Sequence, residues 1–160
     1  EMLTKEQRGN PINCVIIGEY TGMLSSVVSD SFGGPGGRVL CIGDCVDSDG
    51  HPKQEWVEYV GERFQKTVWP VKGDVADNFQ GMEKKMDMAV LSTCGSYSDM
   101  ASLITKWSGL VRPGGVVCGT QLDKEDYPAS TQAIYEVFGE EVESEHTSFW
   151  FTQQGLKASK

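Results

Sequence analysis

The sequence has few basic residues and no long hydrophobic run. Its 14 Lys and Arg residues are outnumbered by 23 Asp and Glu residues, which gives a net charge of −9. A nucleic-acid backbone is bound mainly through clustered Lys and Arg, so this balance argues against nucleic acid as the main partner. No stretch approaches the roughly 18 apolar residues of a membrane helix, and no signal-peptide pattern opens the chain. We therefore expect neither a nucleic acid nor a membrane as partner.

The cysteines lack the spacing of a redox pair or a zinc site. Cys41 and Cys45 are too far apart for a Cys-x-x-Cys pair, and no second pair completes a tetrahedral metal site. Four of the five cysteines lie within or at the ends of apolar, strand-like runs, where cysteine behaves as a small hydrophobic residue; the five are Cys14, Cys41, Cys45, Cys94 and Cys118. We expect a reducing, cytoplasmic setting and no structural metal.

Several catalytic signatures are also missing. The chain has no Gly-x-Ser-x-Gly elbow, which argues against a hydrolase with a serine nucleophile. It has no phosphate loop ending in Gly-Lys-Ser/Thr, which argues against nucleotide hydrolysis. The two histidines, His51 and His146, are each either a general base or a surface residue, and the surface interpretation is favoured. The segment Asp47-Ser-Asp49-Gly50 resembles part of a calcium loop. Cys45 and Trp56 stand where such a loop needs acids, so we interpret it as a polar loop.

The chain is organised around the segment Ile12–Gly22, INCVIIGEYTG. Its apolar run from Cys14 to Ile17 ends at Gly18, a second glycine follows at Gly22, and a helical pattern begins at Met23. A strand, a glycine bend and a helix in this order let the backbone approach a ligand, with the helix N–H groups facing it. The alternative is that the two glycines only make a tight turn.

Strand-like and helix-like segments alternate along the rest of the chain. This order predicts an α/β fold, a doubly wound, Rossmann-like, mostly parallel sheet in three layers with a C-terminal antiparallel hairpin. We expect a single domain over residues 1–160, with residues 1–11 as a short N-terminal segment. The predicted strands are Cys14–Ile17, Arg38–Ile42, Thr67–Val71, Met86–Leu91, Val116–Cys118 and a hairpin ending at Thr152. The predicted helices cover Met23–Phe32, Pro52–Phe64, a short polar stretch before Gly81, Tyr97–Leu110 and Ala129–Phe138, with a turn at Arg112–Gly115.

The order of these pieces resembles class I S-adenosylmethionine-dependent methyltransferases, in particular the small O-methyltransferase-like branch. The resemblance covers nearly the whole chain. It rests on IIGEYTG as the first cofactor loop, GGRVLCIGD as the second strand, KGDV after the third, MDMAVLS as the fourth, and STQAIYEVFG before the hairpin. The segment RPGGVV is the most specific piece.

The resemblance implies a cofactor site outside the carboxyl ends of the strands. The methionine part of the cofactor would lie over Gly18 to Gly22, Asp44 would accept from the ribose hydroxyls, and Asp74 would meet the adenine amino group. The candidate cofactor-binding residues are Gly18, Glu19, Tyr20, Thr21, Gly22, Asp44, Gly73, Asp74, Val75 and Ser92. Asp44 and Asp74 have an alternative as ordinary loop or cap residues.

Aromatic residues also fall near this predicted edge. Tyr20 and Tyr127 are candidates for pocket walls. For Trp69 the alternative is strand packing, and for Tyr97 it is the start of a helix. No catalytic residue can be named.

The departures from the family pattern bear on chemistry. Ile16 stands where the family usually has an acid, and Gly43 separates the second-strand acid from the strand. In metal-dependent members strand four ends in Asp, but here Ser92-Thr-Cys follows. After strand five, Gly119-Thr-Gln121 replaces Gly-x-Asp. Because magnesium needs several carboxylate or carbonyl oxygens at one point, we predict that no metal is used.

Two hypotheses follow. The first is methyl transfer from S-adenosylmethionine to an unknown small acceptor, with S-adenosylhomocysteine as product. The alternative is a catalytically degenerate domain of this fold that binds the cofactor or a protein partner without turnover. A nicotinamide dehydrogenase fits less well, because Gly-x-x-x-Gly is not Gly-x-Gly-x-x-Gly. About ten residues precede the first strand, so the acceptor side is open, or closed by a second copy in a homodimer, or the N-terminus is incomplete.

Overall fold

A computed structural model describes residues 11–32, 36–72, 79, 81–93, 95–123, 125–139, 142–145 and 149–154. These residues form two compact units, which divide between Gly81 and Met82. The single-domain organisation stays a prediction, and each unit is taken by itself below. None of the helices in the described ranges is long and apolar enough to cross a membrane.

The first unit consists of three parallel strands and two helices. The strands β1 and β2 pair from Asn13 opposite Arg38 to Gly18 opposite Gly43, and β2 pairs in parallel with β3. The core of β1 has no exposed surface at three successive residues, Cys14, Val15 and Ile16, as expected for a parallel strand that is buried on both faces. The elements are β1 (Asn13–Gly18), α1 (Thr21–Phe32), β2 (Arg38–Gly43), α2 (Gln54–Val60) and β3 (Val68–Val71).

The two helices of this unit differ from their predicted bounds. Helix α1 begins at Thr21, two residues before the predicted start, so Gly22 lies inside its first turn. The predicted helix Pro52–Phe64 is too long at both ends. Lys53 is extended, with ψ 135°, which delays the start of α2, and the helix gives way to a short 3₁₀ turn at Gly61, whose φ is +60°.

The second unit has two parallel strands followed by an antiparallel pair. Strands β4 and β5 are parallel, β7 runs antiparallel to β5, and β6 is antiparallel to β7. The mostly parallel arrangement and the C-terminal antiparallel hairpin are therefore confirmed. The elements are β4 (Met86–Ser92), α3 (Tyr97–Ser108), β5 (Val111–Thr120), α4 (Pro128–Phe138), β6 (Glu143–Glu145) and β7 (Phe149–Gln153).

The predicted turn at Arg112–Gly115 is wrong, because these residues belong to β5. Met86 pairs with Val111 and Met88 with Val116, so the residues between Val111 and Val116 form a bulge opposite Asp87. Arg112 closes the bulge, since its Nε donates to Asp87 Oδ1 at 2.6 Å. Proline and glycine thus interrupt the strand locally without ending it.

The helices of the second unit lie close to their predicted bounds. Met100, Ile104 and Trp107 form the buried face of α3, and α4 ends at Gly139 as expected. The helices α3 and α4 contact each other, and the Tyr97 hydroxyl donates to Glu136 Oε2. Tyr97 is the first residue of α3, which confirms the alternative given for it. The predicted polar helix before Gly81 falls almost entirely outside the described residues.

The cysteines are packed as small apolar residues. Cys14, Cys41, Cys45 and Cys118 are buried and free, whereas Cys94 lies outside the described residues. Burial raises the pKa of the Cys41 and Cys45 thiols, and it raises the pKa of Cys118 to about 12. The thiols of Cys41, Cys45 and Cys118 are therefore held in their neutral form at neutral pH.

Candidate functional site

Two glycines bring the carboxyl ends of β1 and β2 together. Gly18 and Gly43 are opposite each other in the register, with φ angles of +111° and +126°. A Cβ on Gly43 would overlap the Gly18 carbonyl oxygen and lie 3.1 Å from the carbonyl carbon. The Asp44 N–H donates to that same oxygen at 3.2 Å. The close approach of the two strand ends, which places Asp44, therefore depends on glycine at position 43.

A chain of hydrogen bonds joins Asp44 to both helices of the first unit. The Thr21 hydroxyl donates to Asp44 Oδ1, and the Thr21 N–H approaches the same oxygen at 3.4 Å. The indole Nε1 of Trp56, on α2, donates to the Thr21 hydroxyl at 3.1 Å. Asp44 therefore lies at the first turn of α1, where a carboxylate is stabilised by the free N–H groups of the helix.

The second glycine of the bend is covered by aromatic side chains. Gly22 is buried, and a Cβ on it would lie 3.2 Å from Cδ1 of Trp56 and 3.5 Å from Cδ1 of Tyr59. The rings of α2 therefore pack against Gly22, and contact between Gly22 and a ligand stays a prediction. The exposed residues Glu19 and Tyr20 lie just before Gly22.

A cleft of about 330 Å³ opens beside these residues. It is lined by Tyr20, Gly22, Met23, Asp44, Lys53, Glu55, Trp56 and Tyr59. Three of these were predicted site residues, while Thr21 is buried behind the cleft with 0% exposure. Ligand binding by the three predicted residues, Tyr20, Gly22 and Asp44, stays a prediction.

Sequence reasoning missed the wall that α2 contributes to the cleft. Trp56 and Tyr59 lie in the predicted helix Pro52–Phe64, but neither was given a role in the site. The sequence did contain a signal for them: Tyr59 follows Trp56 by three residues, which places the two rings on one side of a helix. What the sequence could not give is the element that this side faces.

Tyr20 has a strained backbone at the mouth of the cleft. Its φ is +57° although it is not glycine, and 62% of the residue is exposed. Its carbonyl accepts from Leu24 N at 3.0 Å, so it stands at the start of α1. A bulky residue in this conformation costs about 1 kcal/mol or more and is found most often at functional sites. The position supports the interpretation of Tyr20 as a cleft wall.

The cleft combines aromatic rings with acidic side chains. Asp44 and Glu55 contribute two carboxylates against one ammonium group from Lys53, and three of the eight lining residues are aromatic. Carboxylates accept hydrogen bonds from hydroxyl groups, and aromatic faces attract cations. The arrangement therefore suits a ligand that carries hydroxyl donors, a flat ring and a positive charge.

The remaining predicted cofactor-binding residues fall outside the described residues or in the second unit. Gly73, Asp74 and Val75 are outside the described residues. Ser92 is buried at the end of β4 in the second unit, where its hydroxyl lies 3.3 Å from that of Thr120. Tyr127 is half-buried just before α4. His51 is exposed, and His146 lies outside the described residues.

The loop after β2 gathers Asp47, Asp49 and His51, whose ligand atoms lie within 4.8 Å of one another. Asp47 Oδ1 accepts from the backbone N–H groups of Asp49 and His51, both at 2.9 Å. These bonds, the one from His51 first, hold the pKa of Asp47 below its usual value. The segment is thus a loop folded around the Asp47 carboxylate, and its interpretation as a polar loop rather than a calcium loop stays a prediction.

Comparison with known proteins identifies the fold. No protein-family model and no curated protein matches the chain by sequence. Among solved structures it is similar to fibrillarin from Methanococcus jannaschii, a pre-rRNA processing protein, with a TM-score of 0.65, 16% identity, and coverage of 95% of this chain and 69% of that one. It is also similar to Aeropyrum pernix fibrillarin solved with bound S-adenosylmethionine, with a TM-score of 0.62, 14% identity, and coverage of 92% and 66%.

Two proteins from Thermotoga maritima extend the likeness. An S-adenosylmethionine-dependent O-methyltransferase matches with a TM-score of 0.63 and 14% identity over 96% of this chain and 62% of that one. Spermidine synthase, which its name does not describe as a methyltransferase, matches with a TM-score of 0.62 and 14% identity over 96% and 57%. At these identities the likeness concerns the fold alone. The chain has the mostly parallel, Rossmann-like α/β fold of the class I S-adenosylmethionine-dependent methyltransferases, as the sequence predicted.

Proposed function

We propose that this chain binds S-adenosylmethionine in the cleft beside Asp44 and transfers its methyl group to a small acceptor without a metal ion. The observation that carries the proposal is the position of Asp44. In a fold shared with methyltransferases, this acid follows β2 directly after Gly43 and lines a cleft at the carboxyl ends of two parallel strands. Open α/β sheets bind their ligands at that edge.

The residues present fit this cofactor. The hydrogen bonds from Thr21 reach only Oδ1 of Asp44, and Asp44 is exposed, so the second oxygen can accept from ribose hydroxyls. Tyr20 and Tyr59 are 62% and 59% exposed, and their rings can lie against the adenine or near the positive sulfonium. Asp44, Tyr20, Tyr59 and the exposed Glu19 are the residues that would hold the cofactor.

The cofactor supplies the electrophilic methyl group, and the chain's own task is to bind and orient it. Holding the methyl donor and the acceptor in line provides a large part of the reduction in the activation barrier of such displacements. A general base is needed only for an acceptor that must lose a proton, and the described residues of the cleft do not single one out. We therefore propose only that the acceptor is a small molecule.

Metal independence rests on the donors at the ends of β4 and β5. Ser92 offers a buried hydroxyl that lies against Thr120, and Gln121 offers an amide. Neither residue offers the carboxylate oxygens that magnesium requires in number. We therefore expect activity to survive a chelator.

The alternative, a domain that has kept the fold and lost turnover, has one observation in its favour. The chain's own side chains occupy part of the bend, because Trp56 covers Gly22 and Thr21 engages Asp44. A protein with this arrangement can still bind ligand without methylating anything.

Binding is tested by thermal melting and titration calorimetry with S-adenosylmethionine and S-adenosylhomocysteine. Ligand at about a hundred times its Kd adds roughly 2.7 kcal/mol, or about 5–11 °C for a chain of this size. Asp44→Asn should weaken binding about 10-fold or more, because a hydrogen bond to a charged group is lost. Asp30→Asn is the matched control, since Asp30 pairs with Arg63 on the surface. The absence of a melting shift with either ligand at millimolar concentration would refute the proposal.

Turnover separates the two candidates. Release of S-adenosylhomocysteine from a panel of small hydroxyl, amine and thiol acceptors, measured with EDTA present, is expected for the enzyme. Binding without product on every acceptor favours the degenerate domain. Product that forms only after a divalent ion is added contradicts the metal-independent mechanism.

A further inference from the structure

We infer that Thr21 is a positioning residue of the cleft: it holds the Asp44 carboxylate in one orientation and ties it to the Trp56 indole on α2. The inference rests on the proposed function, because the carboxylate so held is the group expected to meet the cofactor. Thr21 itself has 0% exposure and touches no ligand in this scheme.

The directions of the hydrogen bonds are fixed by chemistry. An indole N–H can only donate, so the Trp56 Nε1–H bond of 3.1 Å uses the Thr21 oxygen as acceptor. A carboxylate can only accept, so the Thr21 hydroxyl proton points at Asp44 Oδ1. The hydroxyl therefore has one defined orientation, with its donor and one acceptor site both in use.

This arrangement restricts rotation of the carboxylate. The backbone N–H of Asp44 is bound to the Gly18 carbonyl oxygen at 3.2 Å, which holds the main chain but leaves the side-chain torsions free. Among the described residues, the two hydrogen bonds to the Asp44 side chain come from Thr21, one from its hydroxyl and one from its N–H at 3.4 Å. With Oδ1 turned toward α1, the other oxygen is left for the cleft that Asp44 lines.

The same hydroxyl links the cleft walls. Trp56 lies in the first turn of α2 and is 5% exposed, and its ring packs over Gly22. Loss of the Thr21 hydroxyl would leave the buried indole N–H without this acceptor and the carboxylate without its main restraint. A hydroxyl that accepts from one group also becomes a stronger donor to the next, so the three groups act together.

Thr21→Val tests the inference, because it keeps the shape of the side chain and removes the hydroxyl. We expect the Kd of S-adenosylhomocysteine, measured by calorimetry, to rise at least about 10-fold in this variant. Thr21→Ser restores the hydroxyl and should bind within about 3-fold of the parent chain. Ser25→Ala is the matched control, since Ser25 is buried in the same helix and its hydroxyl donates to Gly22 O at 3.0 Å; it should leave the Kd unchanged.

A second readout needs no ligand. The Trp56 indole N–H resonance, assigned with Trp56→Phe, should shift in Thr21→Val and exchange faster with solvent, and both changes should be absent in Thr21→Ser. If the parent chain binds no S-adenosylhomocysteine, the proposed function fails, while the resonance still reports whether the hydrogen-bond chain exists.

Several results would overturn the positioning role while leaving the proposed function intact. An unchanged Kd in Thr21→Val is one, and an equal loss in Ser25→Ala is another, because it would indicate a general effect of destabilisation. If Thr21→Val does not fold, Thr21→Ala provides the same comparison. Failure of both variants to fold would make the hydroxyl a requirement for folding, which also overturns the inference.

Discussion

Replacing Gly43 by alanine should be among the most damaging single-methyl changes in the first unit. The new Cβ would overlap the Gly18 carbonyl oxygen and lie 3.2 Å from the Gly18 Cα. The opposing atoms are backbone in a paired strand, so they cannot move aside as a flexible side chain would. In addition, φ at this position is +126°, which an L-residue adopts only under strain.

The two effects can be given magnitudes. Backbone strain of this kind costs about 1–3 kcal/mol, and forcing extra atoms into a packed site costs about 1–3 kcal/mol more. We expect a loss of about 3 kcal/mol or more in the free energy of unfolding, which corresponds to at least about 6 °C in Tm for a chain of this length. The loss is measured by unfolding the parent chain and the variant in urea and monitoring the transition by circular dichroism.

Gly61→Ala is the matched control. Its φ is +60°, and no atom lies within 4 Å of the position that a Cβ would take. This variant carries the backbone strain without the overlap, so we expect a loss of about 1 kcal/mol. Equal losses in the two variants would refute the reasoning, because they would mean that the strand ends can separate at no cost.

The remaining predictions concern a buried hydroxyl, the strained cleft residue and a buried thiol. Thr152 is 1% exposed and its hydroxyl has no hydrogen-bond partner among the described residues. Thr152→Val should therefore raise the free energy of unfolding by about 1 kcal/mol in urea titration, and a loss would contradict this. Tyr20→Gly should keep Tm within about 2 °C, because relief of strain offsets added chain entropy, yet weaken S-adenosylhomocysteine binding in calorimetry; unchanged binding would remove Tyr20 from the site. For Cys118, burial raises the pKa to about 12, above the roughly 8.5 of an unfolded thiol. The stability it contributes is fully present below that lower value and falls by about 1.4 kcal/mol per pH unit above it. In Cys118→Ala, the free energy of unfolding should fall less steeply between pH 9 and 10.5. An unchanged slope of the free energy of unfolding against pH would contradict the raised pKa of Cys118.

Local patterns in the sequence were sufficient for most of the elements. The run of apolar residues before Gly18 predicts β1, because a strand buried on both faces needs no polar alternation. Apolar residues recur at three-and-four spacing at Met100, Leu103, Ile104 and Trp107. This spacing predicts α3, because those positions share one side of a helix. The antiparallel end of the sheet follows in the same way from the alternation around Trp150. The fold class could therefore be predicted, and the structural likenesses confirm it.

The bulge in β5 could not be predicted from local patterns. Arg112-Pro-Gly-Gly115 has the composition of a turn, but Asp87 on the neighbouring strand accepts from Arg112 and the bulge remains within β5. Composition reports what a segment can do alone, whereas pairing with a distant strand decides what it does.

The candidate site divides along the same line. The sequence alone determined that glycines end β1 and β2 and that Asp44 follows the second strand, because these are features of adjacent residues. Only the tertiary structure decided that Trp56 covers Gly22 and binds Thr21, and that Thr21 turns the carboxylate of Asp44. The physical reason is that these contacts join residues up to 35 positions apart, and their geometry depends on how two helices pack over one pair of strands.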